Sequence, residues 1–481
     1  MSPDEFRKAG HDLVDWIADY RERVQRGDFP VVARTAPGAL RDALPRQPPA
    51  SGESFASIRA DLDSLILPAC THWQDPRFHG YFPSNGLPAA VLGDFVSTGL
   101  GQLGLNWQSS PALTELEEVC LDWWRQMLGL SDRWSGVIQD TASTSTFVAL
   151  VCARERASDH AATRGGLQGQ PRPLMIYVSS QAHSSVEKAA LLAGFGRDNL
   201  RTIPVDANFD MQPASLAAAI QEDRAAGREP CAIVATCGST ATTAFDPLPE
   251  IAQIARAEEL WLHVDAAMAG SAMILPECRE LWDGIENADS LVVNPHKWLG
   301  VSMDCSTYFV RDPQFLVRVM STNPSYLQTA ADGRVNNYRD WGVPLGRRMR
   351  ALKLWFVIRD QGVAGLQARL RRDLDHARWL EAEIRREPHW KILAPVRLQT
   401  LVVRHEPPAA GGESPDAGAL DAYTRAWAQA VNDSGEACLT PTLLDGRWAV
   451  RVSLGNANTE RQHVADLWRL MRLTTNEGRR T

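Results

Sequence analysis

The amino-acid sequence predicts an α/β protein with a mostly parallel sheet and helices on both faces of that sheet. Between residues 135 and 310, short β-branched or apolar runs alternate with helix-like stretches at the spacing of βαβ units. Amphipathic helical stretches precede this region, and a smaller α+β pattern follows it. We therefore expect three domains, over 1–75, 76–362 and 363–481, with function at the carboxyl ends of the parallel strands.

Residues 1–75 read as helices with a Pro-rich connector, LPRQPPASGES, between two amphipathic stretches. Such a segment has an apolar face to bury and little core of its own. We expect it to pack on another domain or on another subunit.

The central region contains seven runs with the composition of buried strands. They are GVI, LMIYVSS, TIPV, CAIVAT, LWLHVDAA, SLVVNP and STYFVR. The pattern then predicts a long helix over 343–362. After it we expect two strands, LQTLVVRH and RWAVRVSLG, and two helices, DAYTRAWAQAVNDSG and TERQHVADLWRLMRLT, with EPPAAGGESPDAGA as a surface loop or disordered insert.

Composition excludes some classes of function. A net charge of −8 and a pI near 5.8 give no general attraction to nucleic acid. The start of the chain has charges within its apolar pattern, unlike a signal peptide, and no apolar run is long enough to span a bilayer, so a cytoplasmic protein is expected. The eight cysteines include no C-x-x-C pair, so neither disulfides nor a metal site is predicted.

Polar residues follow four of the expected strands. Asp265 ends LWLHVD, and Lys297 follows SLVVNP one βαβ unit later. His183 follows LMIYVSS, and Thr240 lies in a hydroxyl-rich loop after CAIVAT. This combination suits pyridoxal 5′-phosphate (PLP), which joins an aldehyde, a basic ring and a phosphate in one molecule.

Each part of PLP requires a particular kind of residue. The aldehyde needs a lysine, for which Lys297 is the candidate, and the ring nitrogen needs a carboxylate such as Asp265 to stay protonated. The phosphate needs main-chain N–H groups and hydroxyls at a helix N-terminus, which residues 142–144 offer. His183 is the candidate for stacking on the ring.

Each of these residues alone has a more ordinary interpretation. Lys297 would be a surface lysine, Asp265 a helix N-cap and His183 a structural histidine. These interpretations weaken because all of them must hold at once. The stretch GLGQLG at 99–104 fits a dinucleotide-binding pattern, but no clear strand precedes it, so we interpret it as a loop or turn.

Six longer stretches resemble one enzyme family. They are FHGYFPSNGLPAAVLGD, LNWQSSPALTELEEVCLDWW, SSQAHSSVEKAALLAG, LWLHVDAAMAGSA, NPHKWLGVSMDCS and DWGVPLGRRMRALKLWFVIRDQG. They closely resemble the group II PLP-dependent decarboxylases, and among these most of all the aromatic L-amino-acid decarboxylases. The resemblance covers nearly the whole chain. It implies the aspartate aminotransferase fold, called fold type I, with a seven-stranded central sheet.

The resemblance also implies individual roles. Lys297 matches the lysine that holds the cofactor, Asp265 its ring-nitrogen partner and His183 the stacking histidine. The other positions that match cofactor contacts are Ala142, Ser143, Thr240, Ala267, Asn294 and His296. In the family the enzyme is a homodimer with active sites at the interface, and the N-terminal segment wraps around the partner.

Tyr326 matches the family tyrosine that delivers a proton to the α-carbon from a mobile loop. The matching stretch is STNPSYLQTAADGRVNNYRDW. A polar loop that contains glycine suits a lid that excludes water during the reaction. Relatives with phenylalanine at this position tend to make aldehydes, so tyrosine favours simple decarboxylation to the amine.

The resemblance places several residues around the substrate side chain. They are Trp73, Tyr81, Phe82, Ser84, His183 and Gly346, with Leu103 and Leu105 contributed by the other subunit. An apolar and aromatic pocket favours a flat ring. Tryptophan, 5-hydroxytryptophan, DOPA, phenylalanine and tyrosine are therefore the candidate substrates, although Leu105, Met268 and Met303 depart from common family residues.

Two other kinds of function remain open from the sequence. One is a different enzyme on the same scaffold, either an aldehyde synthase or a decarboxylase for glutamate, cysteine sulfinate or diaminobutyrate. An acidic substrate would require an added arginine, and FPSNGLPA has none. The other is a silent PLP carrier, which need not keep Lys297, Asp265, His183 and Tyr326 together.

Overall fold

A computed structural model describes residues 1–322, 324–407 and 416–477. The chain forms two compact units. One, here called the terminal unit, comprises Met1–Pro83, His376–Leu393 and Leu401–Thr481. The other, the central unit, comprises Ser84–Asp375 and Ala394–Thr400.

The central unit contains a seven-stranded sheet, and all seven predicted runs form its strands. In chain order they are β1 (Ser135–Gln139), β2 (Leu174–Ser179), β3 (Leu200–Ile203), β4 (Glu229–Thr236), β5 (Trp261–Asp265), β6 (Ser290–Val293) and β7 (Ser306–Val310). Their order across the sheet is β1-β7-β6-β5-β4-β2-β3. The predicted α/β class with a mostly parallel sheet is confirmed.

The directions of the strands bring several of their carboxyl ends to the same edge of the sheet. β3, β2, β4, β5 and β6 pair in parallel, whereas β7 is antiparallel to both of its neighbours, β6 and β1. β1 therefore runs in the same direction as β6. The carboxyl ends of β1, β2, β4, β5 and β6 thus lie along one edge of the sheet, where ligands of open α/β sheets bind.

Helices account for most of the remaining described structure. The first, α1, shows how local sequence sets their ends: Ser2 and Glu5 form a capping box, and Gly27 ends the helix in the left-handed conformation. The described helices are α1 (Pro3–Arg26), α2 (Ala39–Ala43), α3 (Phe55–Asp61), α4 (Pro88–Leu100), α5 (Pro111–Leu128), α6 (Ala142–Ala157), α7 (Ser184–Leu192), α8 (Pro213–Ala225), α9 (Leu248–Ala257), α10 (Pro313–Met320), α11 (Ala351–Arg386), α12 (Ala417–Asp433) and α13 (Arg461–Glu477).

The helix predicted over 343–362 is wrong at its start. Residues 343–350 are irregular, and α11 begins only at Ala351 and breaks its helical geometry at Gly362. Pro344 and Gly346 disfavour a helix interior, and the buried guanidinium of Arg347 bonds to main-chain carbonyls elsewhere in the unit. These tertiary bonds outweigh the local apolar pattern.

Residues 99–104 lie at the end of α4 and in the turn after it. Gly99 and Leu100 are still helical, and Gly101 ends the helix with φ +60°. A helix precedes this stretch rather than a strand, so it lacks the context of a dinucleotide site.

The second sheet has four strands, two more than predicted. Its order is β10-β11-β9-β8, with β8 (Trp390–Ile392), β9 (Thr400–His405), β10 (Thr440–Leu444) and β11 (Arg447–Ser453). Only β9 and β11 have clear apolar runs; β8 has three residues, and β10 contains Pro441. Part of the predicted insert, 408–415, lies outside the described residues.

No helix in the described parts of the chain is long and apolar enough to cross a membrane.

Candidate active site

Asp265 ends β5 and is held by the main chain around it. The residue is 6% exposed, and its Oδ1 accepts a hydrogen bond of 3.0 Å from the main-chain nitrogen of Ala267. Its main-chain oxygen accepts a bond of 2.8 Å from Cys237, at the end of β4. These bonds fix the carboxylate at the sheet edge, as a partner for a cationic ring nitrogen must be fixed.

Lys297 lies in a tight turn directly after β6. Its main-chain nitrogen donates to the carbonyl of Asn294 over 2.9 Å, and Asn294 in turn donates to the carbonyl of Ala267 over 2.9 Å. The side chain of Asn294 accepts from Ser306 Oγ at 2.6 Å. The turn is therefore bound both to the residues after β5 and to β7, at the same edge of the sheet as Asp265.

His183 is the N-cap of α7. Its Nδ1 accepts a hydrogen bond of 3.1 Å from the main-chain nitrogen of Ser185. Desolvation by the surrounding protein lowers the pKa of His183, the nearby ammonium of Lys297 lowers it further, and the carboxylate of Asp265 opposes both. The charges of Lys297 and Asp265 thus both act on the imidazole of His183, and a neutral imidazole can stack on a flat ring.

The N-terminus of α6 has the properties of an anion site. Thr141 is its N-cap, yet no side chain caps the first main-chain N–H groups, and the helix is 16 residues long. Ala142 is buried, whereas Ser143 is exposed with its hydroxyl in the first turn. The dipole and the N–H groups of such a helix end favour a phosphate.

His296 is buried and accepts a hydrogen bond at Nδ1 from the main-chain nitrogen of Cys305, over 2.9 Å. Burial lowers the pKa of His296 to about 4, and Lys297 adds to the effect. The neutral ring therefore carries its proton on Nε2, which makes that atom a hydrogen-bond donor.

The loop after β4 is built from hydroxyl groups. Ser239 Oγ and Thr242 Oγ1 lie 2.8 Å apart, and Thr240 is partly buried between them in the chain. Asp246 closes the loop by accepting main-chain bonds from Thr236 and Met211, at 2.7 and 2.8 Å. Burial raises the pKa of Asp246 to about 7.

These residues fit PLP by the chemistry of their donor set. A lysine, a buried carboxylate, an imidazole, hydroxyls and an uncapped helix N-terminus are the groups that an aldehyde, a basic ring and a phosphate require. Five separate strand ends, those of β1, β2, β4, β5 and β6, supply them to one edge of one sheet.

Three predicted substrate residues belong to the terminal unit. The rings of Trp73 and Tyr81 stack with centroids 5.4 Å apart, and Trp73 also stacks on Phe78 at 4.5 Å. Phe82 is nearly buried and lies under the guanidinium of Arg451, which is 4.6 Å from the ring centroid.

The sequence did not single out Arg451, because it occupies an ordinary polar position in the alternating pattern of a strand. It is 3% exposed, and burial lowers its pKa to about 10. Its Nη2 donates to the carbonyl of Tyr81 over 3.4 Å, while Tyr81 N donates to Thr440 Oγ1 over 2.6 Å. Strands β10 and β11 thereby hold the aromatic segment in place.

The other predicted substrate residues belong to the central unit. Ser84 Oγ donates to the carbonyl of His296 over 3.2 Å, so it lies beside the lysine turn. Leu103 is 56% exposed, and Leu105 is partly buried. Gly346 is exposed, and a Cβ built there would meet no atom of the described residues within 4 Å.

Tyr326 lies in a short 3₁₀ turn, Ser325–Leu327, but its side chain is outside the described part of the structure. Its role as a proton donor therefore remains a prediction.

A buried ion pair near the end of β1 was also missed. Arg347 Nη2 lies 2.7 Å from Glu117 Oε1, and both side chains are at most 3% exposed. The signal was present in the sequence, since Glu117 occupies the buried face of α5 three residues from Thr114 and from Cys120.

Comparison with known proteins gives concordant matches. The model of the pyridoxal-dependent decarboxylase conserved domain matches residues 37–405. Tyrosine decarboxylase 3 of Petroselinum crispum is 38% identical over 98% of this chain and 92% of its own length. Phenylacetaldehyde synthase of a Rosa hybrid cultivar is 37% identical, over 98% and 94%. A crystal structure of Oryza sativa TDC with PLP and tryptamine superposes with a TM-score of 0.95 at 36% identity, over 99% of both chains.

Proposed function

Because the chain belongs to the family of pyridoxal-dependent decarboxylases, we propose that it removes the α-carboxylate of an aromatic L-amino acid and releases CO₂ and the corresponding amine. The observation that supports this proposal is that the ends of β5, β6 and β2 bring Asp265, Lys297 and His183 to the same sheet edge as the uncapped N-terminus of α6.

Five parts of the chain divide the task of holding PLP. Lys297 supplies the primary amine that holds the aldehyde until the amine of the substrate replaces it. Asp265 keeps the ring nitrogen protonated, and His183 stacks on the ring. The N-terminus of α6, with Ala142 and Ser143, binds the phosphate, and Asn294, His296, Thr240 and Ala267 complete the cradle. Bound PLP supplies a sink for the electron pair left on the α-carbon when CO₂ departs.

The final step requires a proton at the α-carbon. We assign this proton to the hydroxyl of Tyr326, the position that matches the family tyrosine. The 3₁₀ turn that contains it belongs to a loop that also carries polar residues and Gly333. Exclusion of water by this loop would favour protonation over side reactions.

Aromatic substrates are favoured by two observations. Trp73 and Tyr81 present stacked rings with 37% and 56% of their surfaces exposed, and flat side chains stack well on such surfaces. Relatives that are 37 to 39% identical include tyrosine and tryptophan decarboxylases. We place tryptophan, 5-hydroxytryptophan, DOPA, phenylalanine and tyrosine in the substrate class.

We further propose that the enzyme is a homodimer. One face of α4 exposes Leu92, Phe95 and Leu100, which are 47%, 51% and 54% exposed, and Leu103 continues the stripe. Large apolar side chains that are exposed next to one another are typical of protein interfaces. A second copy is the occupant implied by the family, and the exposed Phe6 and Val14 of α1 suit contact with that same partner.

An aldehyde synthase is the second candidate, and similarity to phenylacetaldehyde synthase supports it. Such an enzyme consumes O₂ and releases aldehyde, ammonia and peroxide together with CO₂. Tyrosine at position 326 favours the amine instead.

A panel of the twenty protein amino acids plus DOPA and 5-hydroxytryptophan tests the proposal. We expect an aromatic substrate to give the fastest CO₂ release, with amine as the main product and little O₂ uptake. Faster release from glutamate or histidine than from every aromatic would refute the substrate class. Stoichiometric O₂ uptake with aldehyde as the product would identify the synthase.

A further inference from the structure

The carboxyl end of β1 is bonded to the segment that ends the Tyr326 loop. Gln139, the last residue of β1, is 3% exposed, and its Nε2 donates to the carbonyl of Trp341 over 2.9 Å. The next residue, Gly342, packs against the same carboxamide so closely that a Cβ built there would lie 2.6 Å from Nε2. A side chain at position 342 would therefore have to displace the Gln139 carboxamide.

The residue before Gln139 is held by side chains as well. In the described structure β1 is the edge strand of the sheet, so its outer main-chain groups face no neighbouring strand there. Glu117 Oε1 accepts from Ile138 N at 2.9 Å, and Arg347 Nη2 donates to Ile138 O at 2.8 Å. The ion pair of Glu117 and Arg347 thus ties the strand end to the chain that follows the loop.

The end of the loop is buried, whereas its middle is not. Tyr338 and Trp341 are 2% and 5% exposed, and their rings meet edge to face with centroids 5.5 Å apart. The guanidinium of Arg347 lies 5.0 Å from the ring centroid of Tyr338. By contrast, Gly333 and Arg334 are exposed. Residues 338–341 are therefore the anchor of the loop, and Gln139 contacts that anchor directly.

In the other direction along the chain, Gln139 leads into the proposed phosphate site. Asp140 and Thr141 separate it from Ala142, the first residue of α6, and Asp140 Oδ1 accepts from Thr141 N at 2.7 Å. An anion bound at this helix N-terminus would order the main chain on which Gln139 lies. One short segment thus joins the phosphate site to the loop anchor.

We propose that Gln139 is a positioning residue that couples occupancy of the phosphate site to the order of the loop bearing Tyr326. This inference rests on the proposed function, since it assumes a cofactor phosphate at α6. Coupling of this kind is reciprocal: the cofactor orders the loop, and an ordered loop raises the affinity for the cofactor by the same factor. Couplings between sites commonly amount to about 5- to 150-fold.

Limited trypsinolysis tests the coupling without measuring activity. Arg334 is exposed in the loop, and mass spectrometry identifies cleavage after it. We expect saturating PLP to slow this cleavage in the parent enzyme by at least about 5-fold. Gln139→Ala should lose most of this protection and bind PLP correspondingly more weakly in a fluorescence titration.

Gly342→Ala perturbs the same contact from its other side and should have the same effect, so the test does not depend on one variant folding. Gly169→Ala is the matched control, because Gly169 is exposed and a Cβ there meets no atom within 4 Å. It should retain the protection and PLP affinity of the parent. If Gln139→Ala and Gly342→Ala, folded by circular dichroism, are protected as well as the parent, the coupling is refuted.

Product analysis separates this inference from the proposed function. Tyr326→Phe should shift products from amine towards aldehyde and peroxide, and Gln139→Ala should produce a smaller shift in the same direction. An unchanged product from Tyr326→Phe would remove the proton donor from the proposed function. A change in Tyr326→Phe with no change in Gln139→Ala would instead remove Gln139 as its positioning residue.

Discussion

The indole Nε1 of Trp298 donates a hydrogen bond of 2.9 Å to Oδ2 of Asp373. Trp298 is fully buried and directly follows Lys297, so this bond holds one end of the lysine turn to α11. Burial raises the pKa of Asp373 to about 6, while Arg369, Arg372 and Trp298 counteract the rise. The tryptophan therefore has a structural role, whereas the role proposed for its neighbour, Lys297, is chemical.

Trp298→Phe should lower the free energy of unfolding by about 1–3 kcal/mol, because a buried acceptor loses its donor. The loss should be larger at pH 8 than at pH 5, since Asp373 is ionised above its pKa of about 6 and neutral below it. Urea unfolding at both pH values measures the difference. Trp355→Phe, at a partly exposed tryptophan, should show no such pH dependence, and an equal loss at both pH values for Trp298→Phe would contradict the assignment.

Lys297→Ala should abolish covalent attachment of PLP and reduce CO₂ release to background. The purified variant should lose its cofactor on gel filtration and with it the absorption near the visible edge. Lys188→Ala, at an exposed lysine of α7, should keep both colour and activity. A yellow, active Lys297→Ala enzyme would overturn the assignment of the lysine.

Asp265→Asn keeps an oxygen that can accept from Ala267 N but removes the negative charge. We expect CO₂ release to fall on the order of 10²- to 10³-fold, the usual cost of losing one electrostatic stabiliser in an active site. Steady-state rates at saturating PLP measure this effect separately from cofactor affinity. A rate within a few-fold of the parent would show that Asp265 does not partner the ring nitrogen.

The buried His263 should make the protein less stable in acid. Burial lowers its pKa to about 4, and its ring nitrogens lie 2.9 Å from Ser290 Oγ and 3.3 Å from Thr146 Oγ1. Above the unfolded pKa of about 6.5 neither state is protonated, whereas between pH 6.5 and 4 only the unfolded chain gains a proton. This one group should therefore cost up to about 3 kcal/mol of stability over that window.

The variant His263→Asn tests the predicted direction of this change in stability with pH. The variant should be less stable than the parent at pH 7, but its unfolding free energy should fall less steeply from pH 6.5 to pH 4. A constant difference between the two proteins at every pH would exclude His263 as a source of the acid sensitivity.

Phe95→Glu should weaken the proposed dimer. The side chain is 51% exposed on the apolar face of α4, and a charge there would be buried without a partner in an interface. Size-exclusion chromatography with light scattering should show a monomer with little activity. Leu473→Glu, at a residue of α13 that is 54% exposed, is the control and should leave the mass unchanged. A dimeric Phe95→Glu protein would place the interface elsewhere.

Sequence patterns predicted the central sheet well because β2, β4, β5, β6 and β7 are buried along almost their whole length and read as continuous apolar runs. The strand ends were equally clear, since Asp265 and Lys297 interrupt such runs with groups that a core excludes. The second sheet was harder: β8 has only three residues, and β10 has mixed burial, so neither leaves a pattern.

Features that depend on bonds between residues distant in sequence could not be predicted. The helix start at Ala351 depends on where the side chain of Arg347 bonds, more than 200 residues away in sequence at Ile138. The structural roles of Gln139 and Glu117 likewise depend on bonding partners that lie far from them in the sequence. Family resemblance, rather than pattern, supplied the expectations for Tyr326 and the aromatic pocket.

The antiparallel strand β7 determines when β1 can fold during synthesis of this protein. Among the described residues, β7 is the one strand that pairs with β1, with Ser135 opposite Val310 and Gln139 opposite Ser306. A nascent chain therefore exposes β1 and the start of α6 through the translation of all the intervening strands. Such non-local pairing is slow and leaves apolar edges open to aggregation. The newborn polypeptide can assemble its cofactor cradle only after most of the chain has left the ribosome.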